Sequence, residues 1–199
     1  MNACFSSALL RLESVSLWGN CLTGEQISQL FLAITETSQL RLRKLNISGN
    51  DVSRVEADLL ARSVVRLEEI FLLNTRLTSQ QAELLLARIV SPSLQSDQSP
   101  LKALYIGDNN LASVSASLLA RAVVRLQTVS LDDTNLSSEQ VTSLLTIIAQ
   151  TSDTRLRHLD MLGMRVDLSL LSLPPELWES LKGKFKVIDG WMRCRLELI

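Results

Sequence analysis

The sequence repeats itself at a period of 59 residues. Residues 42–65 read LRKLNISGNDVSRVEADLLARSVV, and residues 101–124 read LKALYIGDNNLASVSASLLARAVV. Self-similarity at a fixed period is typical of stacked repeats, in which one unit cannot bury its apolar side chains alone. We therefore predict that residues 1–199 form a single array of units and not separate domains.

Each unit follows the pattern L-x-x-L-x-L-x-x-N-x-L. The alternation in its centre predicts a short strand with one buried face, and the LLAR run that follows has helical spacing. The pattern begins near residues 12, 42, 67, 101, 126 and 156. These starts lie 30, 25, 34, 25 and 30 residues apart, so long and short units alternate. The predicted fold class is α/β, with a parallel sheet on one side and helices on the other.

Capping boxes predict where the helices begin, because a Ser or Thr and a Glu or Gln three residues later satisfy two backbone donors. Four pairs follow the pattern at one offset: Thr23/Gln26, Ser53/Glu56, Thr78/Gln81 and Ser137/Gln140. The fourth unit lacks such a pair, and we expect its cap at Ser113. Arg62, Arg88 and Arg121 are expected to reach the last carbonyls of their helices.

The Asn of the pattern is expected to turn inward and to bond the backbone of neighbouring turns. Asn20, Asn50 and Asn109 carry a full amide for this purpose. Thr75 and Thr134 hold the same position with one hydroxyl each, and they can form only part of these bonds. We therefore predict that the Asn positions contribute more stability than the Thr positions.

The regular array is predicted to end in the sixth unit, where Met164 replaces the Asn. Residues 167–199 are read as a degenerate C-terminal cap that covers the open end of the core. Its expected parts are a helix opening near Pro174–Pro175, an edge strand with Phe185 and Val187, and Trp178 and Trp191 over the core.

The N-terminal residues match the end of a repeat helix, since residues 8–12 align with residues that precede the later units. The chain is therefore expected to begin within a repeat. Cys4, Phe5, Leu9 and Leu10 would leave apolar surface open, and we expect self-association through this uncapped edge.

Composition excludes several functional classes. The net charge of -1 argues against a general affinity for nucleic acid or an anionic membrane. No apolar run has the length of a membrane span, and the first residues lack the basic start of a secretion signal. Three widely spaced cysteines suggest free thiols in a reducing compartment, so a cytoplasmic location is expected. No motif indicates a metal or cofactor.

With alternating long and short units and helices on the outer side, the array resembles the ribonuclease-inhibitor-like class of leucine-rich repeats. That class also forms the sensing end of nucleotide-binding immune receptors. The resemblance covers residues 12 to about 166 and implies a horseshoe-shaped solenoid with the sheet on its concave side and the helices on its convex side. It also implies a non-enzymatic module for protein binding, as in the recognition part of a larger intracellular receptor. The alternative that it implies is a regulator of an enzyme, such as a GTPase activator.

Residues that alternate with the buried leucines are predicted to lie on the concave face. Phe71 and Tyr105 fall on adjacent strands, about 5 Å apart. Leu73 and Trp18 extend the apolar area, and aspartates edge it with negative charge. We therefore predict a partner with basic and apolar groups. The predicted partner-binding residues are Trp18, Phe71, Leu73, Tyr105, Asp108, Asp132, Asp133, His158 and Asp160.

Two alternatives accompany this prediction. Phe71 and Tyr105 could serve only to stabilise the sheet as a cross-strand pair. We favour binding because an exposed aromatic pair has no packing role in the core. His158 and Asp160 share one face and are the candidates for proton transfer. No Ser or Cys nucleophile lies near them in the predicted register, and the chain has no second histidine, so an enzyme is not expected.

Overall fold

The computed structural model describes residues 11–91, 100–163, 171, 173–190 and 193–198, the last two strands by their backbone alone. Within these ranges the chain forms one eight-stranded sheet and six helices. The strands are β1 Ser14–Ser16, β2 Lys44–Asn46, β3 Glu69–Phe71, β4 Ala103–Tyr105, β5 Thr128–Ser130, β6 His158–Leu162, β7 Phe185–Gly190 and β8 Arg193–Leu198. The helices are α1 Gly24–Glu36, α2 Ala57–Val64, α3 Ser79–Val90, α4 Ala116–Val123, α5 Ser138–Gln150 and α6 Pro175–Lys184.

Strands β1 to β6 are parallel and lie side by side in chain order. One buried residue of each strand pairs with its counterpart in the next unit: the middle residue of the three-residue strands β1 to β5, and the second residue of β6. This row is Val15, Leu45, Ile70, Leu104, Val129 and Leu159. We call the opposite surface the open face. In each unit it is formed by the two residues on either side of the buried one and by the residue three positions after the buried one.

The 59-residue period of the sequence is also a period of the structure. Helix α2 spans Ala57–Val64 and helix α4 spans Ala116–Val123, each displaced by the same 59 positions. Helices of 8 residues alternate with helices of 12 or 13 residues along the described part of the array. The predicted α/β class and the alternation of long and short units are therefore confirmed, and the arrangement is compatible with a solenoid.

Three of the four predicted capping boxes are present, at Thr23, Thr78 and Ser137. The prediction for Ser53 is wrong, because Glu56 itself caps α2 and its carboxylate accepts the backbone N–H groups of Asp58 and Leu59. The prediction of Ser113 is also wrong, since Ser115 caps α4.

Both errors have one cause, which is an extra turn before each short helix. In this turn the N–H of Val55 donates to the carbonyl of Val52, and Val114 donates to Leu111 in the same way. The turn moves the start of the helix further along the chain than the capping pattern of the long units indicates.

The Asn ladder joins neighbouring units in pairs. Asn50 accepts from the N–H of Leu22 and donates to the carbonyls of Leu17, Ile47 and Ser48. Asn109 accepts from the N–H groups of Thr75 and Leu77 and donates to the carbonyls of Leu72, Ile106 and Gly107. Asn20 departs from the prediction, because it is exposed and its amide donates only to the carbonyl of Trp18.

Two further junctions, between the second and third units and between the fourth and fifth, are bridged by the glutamines of the capping boxes, a role that the capping pattern does not predict. The buried amide of Gln81 donates to the carbonyls of Val52 and Val55 in the preceding unit. Gln140 donates to Leu111 and Val114 in the same way. Asn and Gln bridges therefore alternate along the array, and each satisfies backbone carbonyls of the unit before it.

The helix ends also differ from the prediction. Arg62 forms an ion pair with Asp58, 2.7 Å away and one helical turn earlier, instead of reaching a terminal carbonyl. Arg66 performs that role across units, because its guanidinium donates to the carbonyls of Ile34, Thr35 and Thr37 at the end of α1. A cation near these carbonyls is favourable because the C-terminus of a helix carries partial negative charge.

The C-terminal part contains the expected helix and edge strand together with one unexpected strand. Helix α6 begins at Pro175, and Trp178 packs against the core. Strand β7 lies at the sheet edge as predicted, but β8 lies between it and β6, and both pairings are antiparallel. The predictions for Met164, Trp191 and residues 1–10 fall outside the described residues.

The buried side chains form one connected core that extends from Val15 to Leu181. Leu104 and Ile106 in its centre are each 1% exposed, as the pattern predicts. Among the helices of the described ranges, none combines the length and the apolar composition needed to cross a membrane.

Candidate functional site

Phe71 and Tyr105 form the centre of the open face. The two residues are register partners on β3 and β4, and their rings stack with centroids 4.2 Å apart and planes only 4° from parallel. Both rings are partly exposed. The register therefore confirms the predicted adjacency, and the two partly exposed rings cover each other face to face on the open face of the sheet.

The residues around the stack differ in size and burial. Leu73 follows Phe71 on the same face and is partly buried, and its backbone N–H donates to the hydroxyl of Ser48. Gly107 occupies the corresponding position beside it on the next unit. A Cβ at Gly107 would meet the carbonyl oxygen of Asp132 at 3.0 Å, so the backbones of these two units approach closely there.

Trp18 lies apart from the aromatic pair, since strand β2 separates β1 from β3. The residues of the second unit between them, Asn46 in β2 and Ser48 just after it, are polar. Trp18 is 68% exposed and lies near Gly49, where a Cβ would stand 3.6 Å from its indole nitrogen. The predicted apolar patch is therefore interrupted, and Trp18 belongs to a separate exposed position.

Asp132 lies on the open face of the fifth unit beside Gly107 and is held in place by two hydrogen bonds. Its Oδ1 accepts the backbone N–H of Leu162 at 3.0 Å, and its Oδ2 accepts the hydroxyl of Ser130 at 3.0 Å. Burial raises the pKa of this carboxyl, and the nearby charge of Asp160 raises it further. The side chain of Asp160 is a further hydrogen-bond partner of this carboxyl, so the two acids lie side by side.

The backbone conformation explains why Asp108 and Asp133 are aspartates. They occupy the eighth position of the unit, where every unit turns with a positive φ. The residues at this position are Gly19, Gly49, Asn74, Asp108, Asp133 and Gly163. Gly, Asn and Asp adopt this conformation with the least strain, so the turn accounts for both aspartates without a ligand.

The prediction that Asp160 lies exposed at the edge of the apolar area is wrong. It is 8% exposed, because β6 is an interior strand with β8 on its far side and Arg195 as its register partner. His158 is partly exposed and lies two residues earlier, opposite Thr128 and Glu197 in the register. The structure therefore leaves Asp160 less accessible than Asp132.

Charges are distributed unequally along the strands. Near their amino ends the acids are paired: Glu69 with Lys44 at 2.8 Å, and Glu68 with Lys102 at 2.8 Å and with Arg43. The hydrogen bonds from Lys102 and Arg43 hold the pKa of Glu68 below its usual value.

At the carboxyl ends of β4 and β5 the acidic side chains are not paired in this way. Asp108, Asp132 and Asp133 form no ion pair with any side chain in the part of the chain that the structure describes. Asp132 on the open face and Asp108 and Asp133 at the adjoining turns therefore give this end of the sheet an excess of negative charge, and a cationic group would complement it.

An open depression of about 380 Å³ lies at the turns of the first three units, away from the aromatic stack. Its lining includes the exposed thiol of Cys21, the bridging amide of Asn50 and the ion pair between Asp51 and Arg76. Because the amide of Asn50 and the ion pair of Asp51 and Arg76 already bond within the chain, the depression offers less to a ligand than the open face does.

The described residues contain no group of three or more His, Cys, Asp and Glu side chains suited to hold a metal ion. No protein-family model matches the chain, and a search of the curated proteins found no match. The side chains of the open face are therefore the basis on which a function is proposed.

Proposed function

We propose that this chain is a leucine-rich repeat solenoid of the ribonuclease-inhibitor-like type that binds a protein ligand on the open, concave face of its sheet. The observation that carries the proposal is the stack of Phe71 and Tyr105, two aromatic rings placed outside the core. Exposed aromatic side chains surrounded by polar groups are where interface energy concentrates. The rings are fixed by each other, so little side-chain entropy is lost when a ligand covers them.

The proposal describes a binding module and not an enzyme. Its ligand brings an apolar group to the stack and a basic group to the acidic side, and the chain acts as the recognition part of an intracellular receptor. Activation of a GTPase is the second candidate. No contact of the open face favours it. Arg62 of the LLAR run, an arginine that could act on a GTPase, is already paired with Asp58.

The test begins with photo-cross-linking to identify the partner. The photoreactive residue p-benzoylphenylalanine at position 105 is compared with the same residue at position 83 on the exposed side of α3. Affinities are then measured for Phe71→Ala and Tyr105→Ala. We expect each to weaken binding by about 30-fold or more, which corresponds to about 2 kcal/mol for a hot spot.

Glu83→Ala is the control, since this side chain is exposed and has no hydrogen bond or ion pair in the structure. Binding that is weakened only by changes on the helices would overturn the proposal. If Tyr105→Ala lowers the free energy of unfolding and leaves binding unchanged, the aromatic pair serves only to stabilise the sheet.

A further inference from the structure

A row of residues crosses the sheet at the amino ends of its strands. Each member directly precedes one of the strands β1 to β6, and its backbone N–H donates to the carbonyl of the member before it at 2.7 or 2.8 Å. Because neighbouring strands lie about 4.8 Å apart, side chains of adjacent members can meet across units. We call this the edge row: Glu13, Arg43, Glu68, Lys102, Gln127 and Arg157.

The charges of the edge row alternate from Glu13 to Lys102. The carboxylate of Glu68 accepts a hydrogen bond from Lys102 on one side at 2.8 Å and one from Arg43 on the other. These two bonds lower the pKa of Glu68, so its ionised form is favoured between the two bases. The edge row therefore forms, within the chain, a site in which bases of two flanking units hold one carboxylate.

The next three members repeat this arrangement without the acid. Lys102 and Arg157 flank Gln127, whose side chain is neutral and exposed. Among the described residues, the side chains of Gln127 and Arg157 form no hydrogen bond or ion pair. Lys102 is half exposed and bonds Glu68 through one of the three N–H donors that an ammonium group carries. The two bases therefore have donors for a second carboxylate.

We propose that a carboxylate of the protein partner, from an Asp or Glu side chain, binds over Gln127 between Lys102 and Arg157. It repeats there the arrangement of Glu68 one step earlier in the edge row. Hydrogen bonds between ionised groups are shorter and stronger than neutral ones, and the side-chain amide of Gln127 adds a neutral donor.

This inference rests on the proposed function, because the edge row borders the open face. Gln127 directly precedes Thr128 of β5, and Asp132 lies five positions further along the same unit. The partner then brings an acidic group to the edge row and a basic group to the side of Asp132. Complementary charges at an interface fix its register, so the partner crosses the sheet in one direction.

The first experiment uses N-acetyl-glutamate amide as the probe and the uncharged N-acetyl-glutamine amide as its control, each with the full chain at low salt. Backbone amide shifts of the ¹⁵N-labelled protein are followed. We expect shifts that saturate at Lys102, Gln127 and Arg157 with the glutamate probe, and no saturable shift with the glutamine probe.

Two variants place the site of the probe. Arg157→Gln should weaken binding of the glutamate probe by about threefold or more, which is in the range of an exposed ion pair. Arg54→Gln is the matched control, since it makes the same change at an exposed turn elsewhere, and it should leave binding unchanged. Amide spectra show whether each variant is folded.

A second measurement places the carboxylate within the chain. In Gln127→Glu we expect NMR titration to show a pKa for the new carboxyl below the usual value of glutamate, because the two flanking bases favour its ionised form. Adding Arg157→Gln should raise this pKa again. Gln127→Glu should also bind the glutamate probe more weakly than the parent, because its own carboxylate takes the site.

Equal binding of the two probes would overturn the inference, as would shifts centred away from Gln127 or a pKa at position 127 that does not respond to Arg157→Gln. For the partner identified by cross-linking, Arg157→Gln should weaken binding by about threefold. An unchanged affinity for that partner, with Tyr105→Ala still harmful, would reject the carboxylate and leave the proposed function standing. The proposed function fails separately, when the partner binds the helices and tolerates Tyr105→Ala.

Discussion

At the scale of single residues, Asn109 and Thr134 hold the same position of the repeat but form different numbers of hydrogen bonds. The amide of Asn109 forms five hydrogen bonds with backbone groups, and the hydroxyl of Thr134 forms one, to the carbonyl of Leu131. Asn109→Ala leaves several buried groups without partners, each at a cost of about 1–3 kcal/mol. We expect it to lower the free energy of unfolding by about 2 kcal/mol more than Thr134→Ala does.

Urea unfolding of the two variants measures this difference. Asn20→Ala is the internal control, because Asn20 is exposed and bonds only the carbonyl of Trp18. Equal losses for Asn109→Ala and Thr134→Ala would show that the bonds of the Asn ladder add no net stability.

At the scale of elements, the long helices α3 and α5 are each tied to the preceding unit by the glutamine in their first turn. Gln140→Glu retains the acceptor for the N–H of Ser137 but loses the donors for Leu111 and Val114. It also places a charge in a buried site. We expect a loss of at least about 2 kcal/mol, because buried carbonyls and a buried charge are then left uncompensated.

Gln26→Glu is a matched control for this prediction, since Gln26 completes the same capping box without bridging to another unit. An acidic residue in the first turn of a helix is favourable, so this variant should lie within about 0.5 kcal/mol of the parent. Similar losses in both variants would mean that the box itself, and not the bridge, carries the stability.

At the scale of the whole molecule, one continuous core joins every unit of the described array. Leu104 lies in its centre, and Leu104→Ala should lower the free energy of unfolding by about 2–5 kcal/mol through lost burial and a cavity. Because neighbouring units share this core, the loss should appear at both ends of the array. Variants that keep only Trp18 or only Trp178 report the two ends by fluorescence.

Leu84→Ala is the control, since Leu84 is 40% exposed on α3. We expect both tryptophans and circular dichroism to follow one transition that shifts together in Leu104→Ala. Separate transitions at Trp18 and Trp178 would contradict a single cooperative array.

The sequence by itself determined the α/β class, the six parallel strands, the buried row and the neighbouring positions of Phe71 and Tyr105. These features follow from periodicity, because the alternation of apolar residues decides which face of a strand is buried. Stacking of equal units then brings equal positions together, and the register follows without knowledge of any particular contact. Three of the four predicted capping boxes were also correct, because a cap depends on residues within one turn.

The tertiary structure alone decided the features that depend on residues distant in the chain. The Gln bridges need a neighbouring unit whose carbonyls point at the helix, and the burial of Asp160 needs β8 beside β6. The same holds for the carboxylate of Asp132, which accepts hydrogen bonds from Ser130 and from Leu162 of the next unit. Sequence spacing places these residues on one face, but only the packed units determine which groups each side chain bonds.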